Sequence, residues 1–173
     1  MSISFYDASV ATYLQTMQAV AGFLEVGANY CSERNISLDD IVESRIYPDM
    51  LPFRYQIQSV SHHALGSMNA FVNGTFSPSV DLPDANYSEL QQLIGDAIDT
   101  LKTYSAEIVD TYAEREVMFV FGKHKMPFIA SNFLLSFSLP NFYFHATTAY
   151  DILRGKGAPV GKAHYLGPLR MSK

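Results

Sequence analysis

Five histidines, His62, His63, His124, His145 and His164, are the side chains of this chain best suited to chemistry. Imidazole is the usual ligand for zinc, nickel or iron inside a helical protein and titrates close to neutral pH. A catalytic metal normally takes three protein ligands and keeps one open position. His145 and His62 or His63 offer two ligands, but one helical turn beyond His145 stands Ala149, and Asp151 follows on the wrong face. His145 therefore has two readings. It is one half of a divalent metal site (Zn, Ni, Mn or Fe) with His62, or it is a buried imidazole hydrogen-bonded to a Tyr, a Thr or a carbonyl. In the second reading it lines a ligand pocket with Tyr150 and His63, and no cofactor is needed.

Other chemistry is poorly represented. GKGAPVGK, from Gly155 to Lys162, lacks the glycine spacing, the Ser or Thr and the preceding strand of a phosphate loop. No GxSxG, CxxC, HExxH or GxGxxG occurs. The single cysteine, Cys31, cannot form an internal disulfide, and nothing beside it in sequence lowers its pKa. The N-terminus has neither the basic start nor the unbroken apolar stretch of a signal peptide, so a reducing, cytoplasmic setting is expected.

The 173 residues, 48% of them hydrophobic, suit one globular domain spanning 1–173. A net charge of −5 repels a phosphate backbone, which argues against nucleic acid as a partner. The most apolar run, 128–146, is broken by Asn132, Pro140, Asn141 and His145, so no membrane span is expected. After Asp151 the chain carries Arg154, Lys156, Lys162, Arg170 and Lys173 and no acid. That basic tail either lies on an acidic body, or in water, or forms a lip for an anion.

The elements that must hold the histidines follow from hydrophobic period. Val10, Tyr13, Leu14, Met17, Val20, Ala21, Leu24 and Ala28 predict a first helix from Ser4 to about Tyr30. A break at 32–35 precedes a short turn capped by Ser37 with Asp40. A second helix is expected to open at Pro48 with Asp49 near its positive end, and to run to a stop at Asn73 and Gly74. It carries His63 about 80° from the centre of its apolar stripe and His62 roughly opposite. Residues 73–83 form a long crossover, and a third helix runs from Ser88 through Leu90, Ile94, Ala97, Leu101, Tyr104 and Ile108. The β-prone EVMFVFG predicts a small hairpin, or an extended cover, near 115–128, followed by a short helix after Pro127. A last helix opens at Pro140, places Phe142, His145, Ala146, Ala149, Ile152 and Leu153 on one face, and ends at Gly155 and Gly157. The Gly- and Pro-rich tail beyond it is expected to lack regular structure and to wrap back along the surface.

PDMLPF at 48–53, NFYFHATTAYDILR at 141–154 and GAPVGKAHYLG at 157–167 resemble a bacterial family of unknown function in the DinB-like superfamily, whose better-known branches are metalloenzymes. The resemblance spans the chain. It implies an all-α, four-helix bundle in the up-down-down-up arrangement with a long crossover, often as a homodimer. In the metal-binding branches one histidine comes from helix two and an HxxxH pair from helix four. His145 matches the first of that pair, Ala149 stands at the second, and His62 or His63 falls near the helix-two position. Two functions follow as expectations. One is a metal-free, homodimeric protein with a binding or stress-associated role, its pocket around His145 holding a small molecule. The other is a divergent metal-dependent enzyme, a thiol-linked transferase or hydrolase.

Overall fold

A computed structural model describes residues 3–79 and 82–171. After a single turn, α1 (Phe5–Ala8), the backbone bends at Ser9 and enters α2 (Val10–Arg34), the longest element. The expected break at 32–35 is later than the spacing suggests, because Asn35 adopts the left-handed conformation (φ 53°) and its N–H closes the last turn. In α3 (Leu38–Val42) the Ser37 hydroxyl accepts from the Asp39 N–H, so the cap forms without the reciprocal partner expected at Asp40.

α4 (Phe53–Asn73) starts after Pro52 instead of at Pro48, since 47–50 form a turn of their own closed by the Met50 N–H on the Tyr47 carbonyl. Gly74 ends the helix with φ 79°. α5 (Tyr87–Lys102) opens on a reciprocal capping box between Asn86 and Glu89. It stops at Lys102, and Ile108, expected on its apolar stripe, instead lies exposed in the separate turn α6 (Ala106–Asp110).

The protein is mostly helical but not all-α. β1 (Thr75–Phe76) pairs in parallel with β2 (Glu116–Phe121), which pairs antiparallel with β3 (His124–Ile129), giving the order β1-β2-β3. The hairpin turns at Gly122, φ 58°. Pro127 does not precede a helix as expected but sits inside β3, on the outer strand of the sheet, opposite Met118. The chain then enters α7 (Ala130–Phe133), one π-helical turn (Leu134–Ser138) and α8 (Leu139–Gly155) without a break. The tail, expected to be irregular, contains α9 (Lys162–Leu166), which lies on α2 where Gln15 Nε2 donates to the Leu166 carbonyl at 3.1 Å.

The four long helices share one core. Tyr13 of α2 meets Phe142 of α8 edge-on at 4.9 Å between ring centroids, and Phe23 meets Tyr150 at 6.2 Å. Phe53 and Tyr87, the first residues of α4 and α5, stack 5.9 Å apart with planes inclined by 10°. From Gly74 the chain returns along α4: Tyr55 Oη donates to the Ser79 carbonyl, Gln58 Nε2 to the Pro83 carbonyl, and Arg54 reaches Asp84 at 3.2 Å.

Gly27 permits the closest approach of α2 to its neighbours. A Cβ there would lie 2.5 Å from Tyr87 Oη and 2.9 Å from both methyls of Leu153. Tyr87 is fully buried and its hydroxyl donates to the Leu24 carbonyl, so it has little room to withdraw. Gly27→Ala should therefore destabilise the fold by about 1–3 kcal/mol, measured by urea denaturation. A variant as stable as the parent would show that these helices are not locked at this point.

Candidate functional site

Gln56, His63 and Ser67 recur seven and four residues apart, so α4 presents them on one face among apolar neighbours. All three are buried, with His63 6% exposed. Below His63 lies a closed set of hydroxyls. Tyr13 Oη and Ser67 Oγ each lie 2.6 Å from Ser138 Oγ, and both serine hydroxyls reach the His63 carbonyl, at 2.6 and 3.1 Å. Ser138 closes the π-helical turn, so that irregular turn is what sets its hydroxyl in the core. Burial pushes the Tyr13 phenol up to about 12, which keeps it a neutral donor.

The His63 ring lies between two others. His145 of α8 is nearly parallel to it, 5.5 Å away with planes 18° apart, and Phe76 of β1 covers it at 5.7 Å and 22°. Gly66 admits Phe76, since a Cβ there would stand 3.1 Å from the ring. His145 Nδ1 lies 2.8 Å from Gln56 Oε1, while Gln56 Nε2 donates to the Leu51 carbonyl at 2.9 Å. With the amide so oriented, Gln56 Oε1 must accept, His145 carries its proton on Nδ1, and its Nε2 is left with a free lone pair. His63 Nδ1 is buried without a hydrogen-bond partner among the described residues.

His62 is held differently. Its Nε2 donates to the Ser77 carbonyl at 3.0 Å, and its Nδ1 accepts from Ser79 Oγ at 3.1 Å. Both ring nitrogens are thereby engaged in tying the crossover to α4. It stays near its neighbour, 5.8 Å from the His63 ring, but with its nitrogens committed. Tyr150, expected in the pocket, stands apart on Phe23 and Tyr165, because five residues beyond His145 is another side of α8. His124 and His164 are exposed and distant in the fold, the latter accepting from the Gly161 N–H at the start of α9.

The donor set does not fit a divalent ion. Among the described residues, no three His, Cys, Asp or Glu side chains are grouped to hold one. Ala149, fully buried on α8, provides no donor at the second position of the pair.

Electrostatics define what the imidazoles can do. Burial, reinforced by the neighbouring His145 and His62 rings, pushes His63 down to about 3, and burial with His62 pushes His145 down to about 4. His62 is also lowered, mainly by burial. All three are neutral at pH 7, and a base with pKa near 4 removes protons weakly. The Cys31 thiol is buried and pushed up, so it stays protonated.

Sequence reasoning found His63 and His145 but missed Gln56, Ser67, Ser138, Tyr13 and Phe76. For Gln56 and Ser67 the signal was present, since polar residues recur there on the apolar face of α4.

These shifts make stability depend on pH. In the unfolded chain both imidazoles take up protons near pH 6.5, whereas folded they resist until about pH 4 and 3. Below 6.5 the unfolded chain binds more protons. Stability is therefore complete above 6.5 and falls as pH drops toward 4, by up to about 1.4 kcal/mol per pH unit for each ring. Urea titrations at a series of pH values across that window should show the fall, and His63→Phe, which keeps the aromatic stack, should reduce its slope by roughly half. An unchanged slope in that variant would mean that His63 is not held neutral by the fold.

The model of one family, a domain of unknown function designated DUF1993, matches residues 5–166. The structure is similar to the crystal structure of a DinB family member protein from Shewanella denitrificans, with a TM-score of 0.82 and 22% sequence identity over 97% of this chain and 94% of that one. No curated protein matches the sequence. The fold is DinB-like, and the chain belongs to the DUF1993 family.

Proposed function

We propose that this protein is a metal-free, homodimeric binding protein of the cytoplasm, a four-helix bundle of up-down-down-up order that holds a small molecule beside His145. The observation that carries the reading is the bond from His145 Nδ1 to Gln56 Oε1, which frees Nε2 as a neutral acceptor next to the unpaired Nδ1 of His63. A neutral acceptor at His145 Nε2 favours a ligand that brings an N–H or O–H group and disfavours an anion. The low basicity of both rings speaks for binding over proton transfer. The helix order is supported by the stacking of Phe53 on Tyr87, which puts the starts of α4 and α5 at one end, and by the return of the crossover along α4. Stress association fits the same binding role.

Nitrogen-15 NMR of the histidine side chains at neutral pH reads the tautomer directly. His145 should show the Nδ1–H form, and a charged ring or an Nε2–H form would remove the acceptor on which the proposal rests. Elemental analysis of protein purified without a histidine tag should find less than about a tenth of an equivalent of Zn, Ni, Mn or Fe. Stoichiometric metal that disappears in a folded His145→Ala variant would replace this reading with a metal-dependent enzyme.

Sedimentation should give twice the 19.3 kDa chain mass at micromolar concentration. A monomer would remove the dimer from the proposal.

A further inference from the structure

Another side of α4 carries a groove. Leu65 stands about 200° round the helix from His63, and with Leu82 of the crossover and Leu93 of α5 it walls a groove of about 410 Å³. That volume is within the range of small-molecule sites, roughly 300–1,000 Å³. Among the described residues no Asp, Glu, Lys or Arg lines it, and His62, which also lines it, has both ring nitrogens engaged by Ser77 and Ser79.

Gln58 gives the groove its specificity. This side chain is 6% exposed, and its Nε2 donates to the Pro83 carbonyl at 2.8 Å, which fixes the amide so that Oε1 can only accept. Oε1 has less than 1 Å² of accessible surface and no hydrogen-bond partner among the described residues. A buried amide oxygen in that condition is unfavourable and seldom left without a donor. Gln58 lines the groove, and the last torsion of a glutamine side chain is soft, so a ligand donor reaches Oε1 only when the amide turns on its Pro83 bond. Ser61, one turn further along α4 and 4% exposed, lines the same groove and adds a hydroxyl that can donate.

We infer that this groove binds an uncharged carboxamide with an apolar chain. The ligand N–H donates to Gln58 Oε1, its carbonyl accepts from Ser61 Oγ, and its chain lies between Leu65, Leu82 and Leu93. His62 lines the groove but His63 and His145 do not, so the site stands whether or not that pair binds anything.

Calorimetric titration of the full chain tests the inference with three probes of similar size: hexanamide, methyl pentanoate and hexanoate. Hexanamide should bind once per chain with a dissociation constant of about 1 mM or tighter. The ester, which has no donor, and the carboxylate should each bind at least about tenfold more weakly. Gln58→Leu should reduce hexanamide to the level of the ester without altering the pH dependence of stability assigned to His63 and His145. Leu93→Trp, which fills the groove and leaves Gln58 in place, should abolish binding and serves if Gln58→Leu does not fold. Equal affinity for amide and ester, absence of saturable hexanamide binding, or full binding by Leu93→Trp would each overturn the site. So would a crystal structure in which an ordered water occupies Gln58 Oε1 and remains there in the presence of hexanamide.

Discussion

Three hydroxyls and one carbonyl hold the centre of this molecule together. Tyr13 comes from α2, Ser67 and the His63 carbonyl from α4, and Ser138 from the π-helical turn that leads into α8. None of these side chains touches water, so each must find its partner inside. In a core made mostly of apolar side chains, packing alone would tolerate many small slides of one helix along another. The hydroxyl set does not, because a slide of one residue would strand several polar groups at once. The π turn is the local cost of that arrangement. It departs from regular helix at the position where Ser138 must point inward.

The position of His63 follows from the same constraint. Its backbone accepts the two serine hydroxyls, which sets where its ring emerges, and Phe76 and His145 close over that ring from either side. Burial then determines its charge state. An imidazole enclosed by aromatic rings, with no carboxylate beside it, is kept neutral, and its neighbours push in the same direction because they are imidazoles too. One turn beyond His145 stands the buried Ala149, and both ring nitrogens of His62 are committed to the crossover.

Much of this was legible in the amino-acid order. The stripes of α2, α4, α5 and α8 are regular because each buries one face, and the Gly74 stop and the hairpin around Gly122 follow from backbone freedom at glycine. Boundaries were harder. Pro48 has the chemistry of a helix start, but so has Pro52, and only the contacts of Phe53 with Tyr87 and of Arg54 with Asp84 decide between them. β1 could not be read from two residues whose pairing depends on a strand forty positions later. At the site, His145 was visible from its helix face, whereas its partner Gln56 lies 89 residues away and its tautomer depends on where the other end of that amide donates. His62 was placed opposite the core and is indeed only half-buried, yet its role emerges only with the crossover folded back against it. Polar pairing across the chain leaves no periodic trace.

Pro127 has a bearing on assembly as well as on the sheet. β3 is one of the two outer strands, the other being the two-residue β1, and Pro127 contributes no N–H to any ladder that might form on β3, while Lys125 in the same strand adds a charge that would have to be desolvated there. The sheet is thus guarded against growing from one molecule into the next. The same proline keeps the six-residue β-prone segment of β2 from being extended through β3 into an intermolecular ladder.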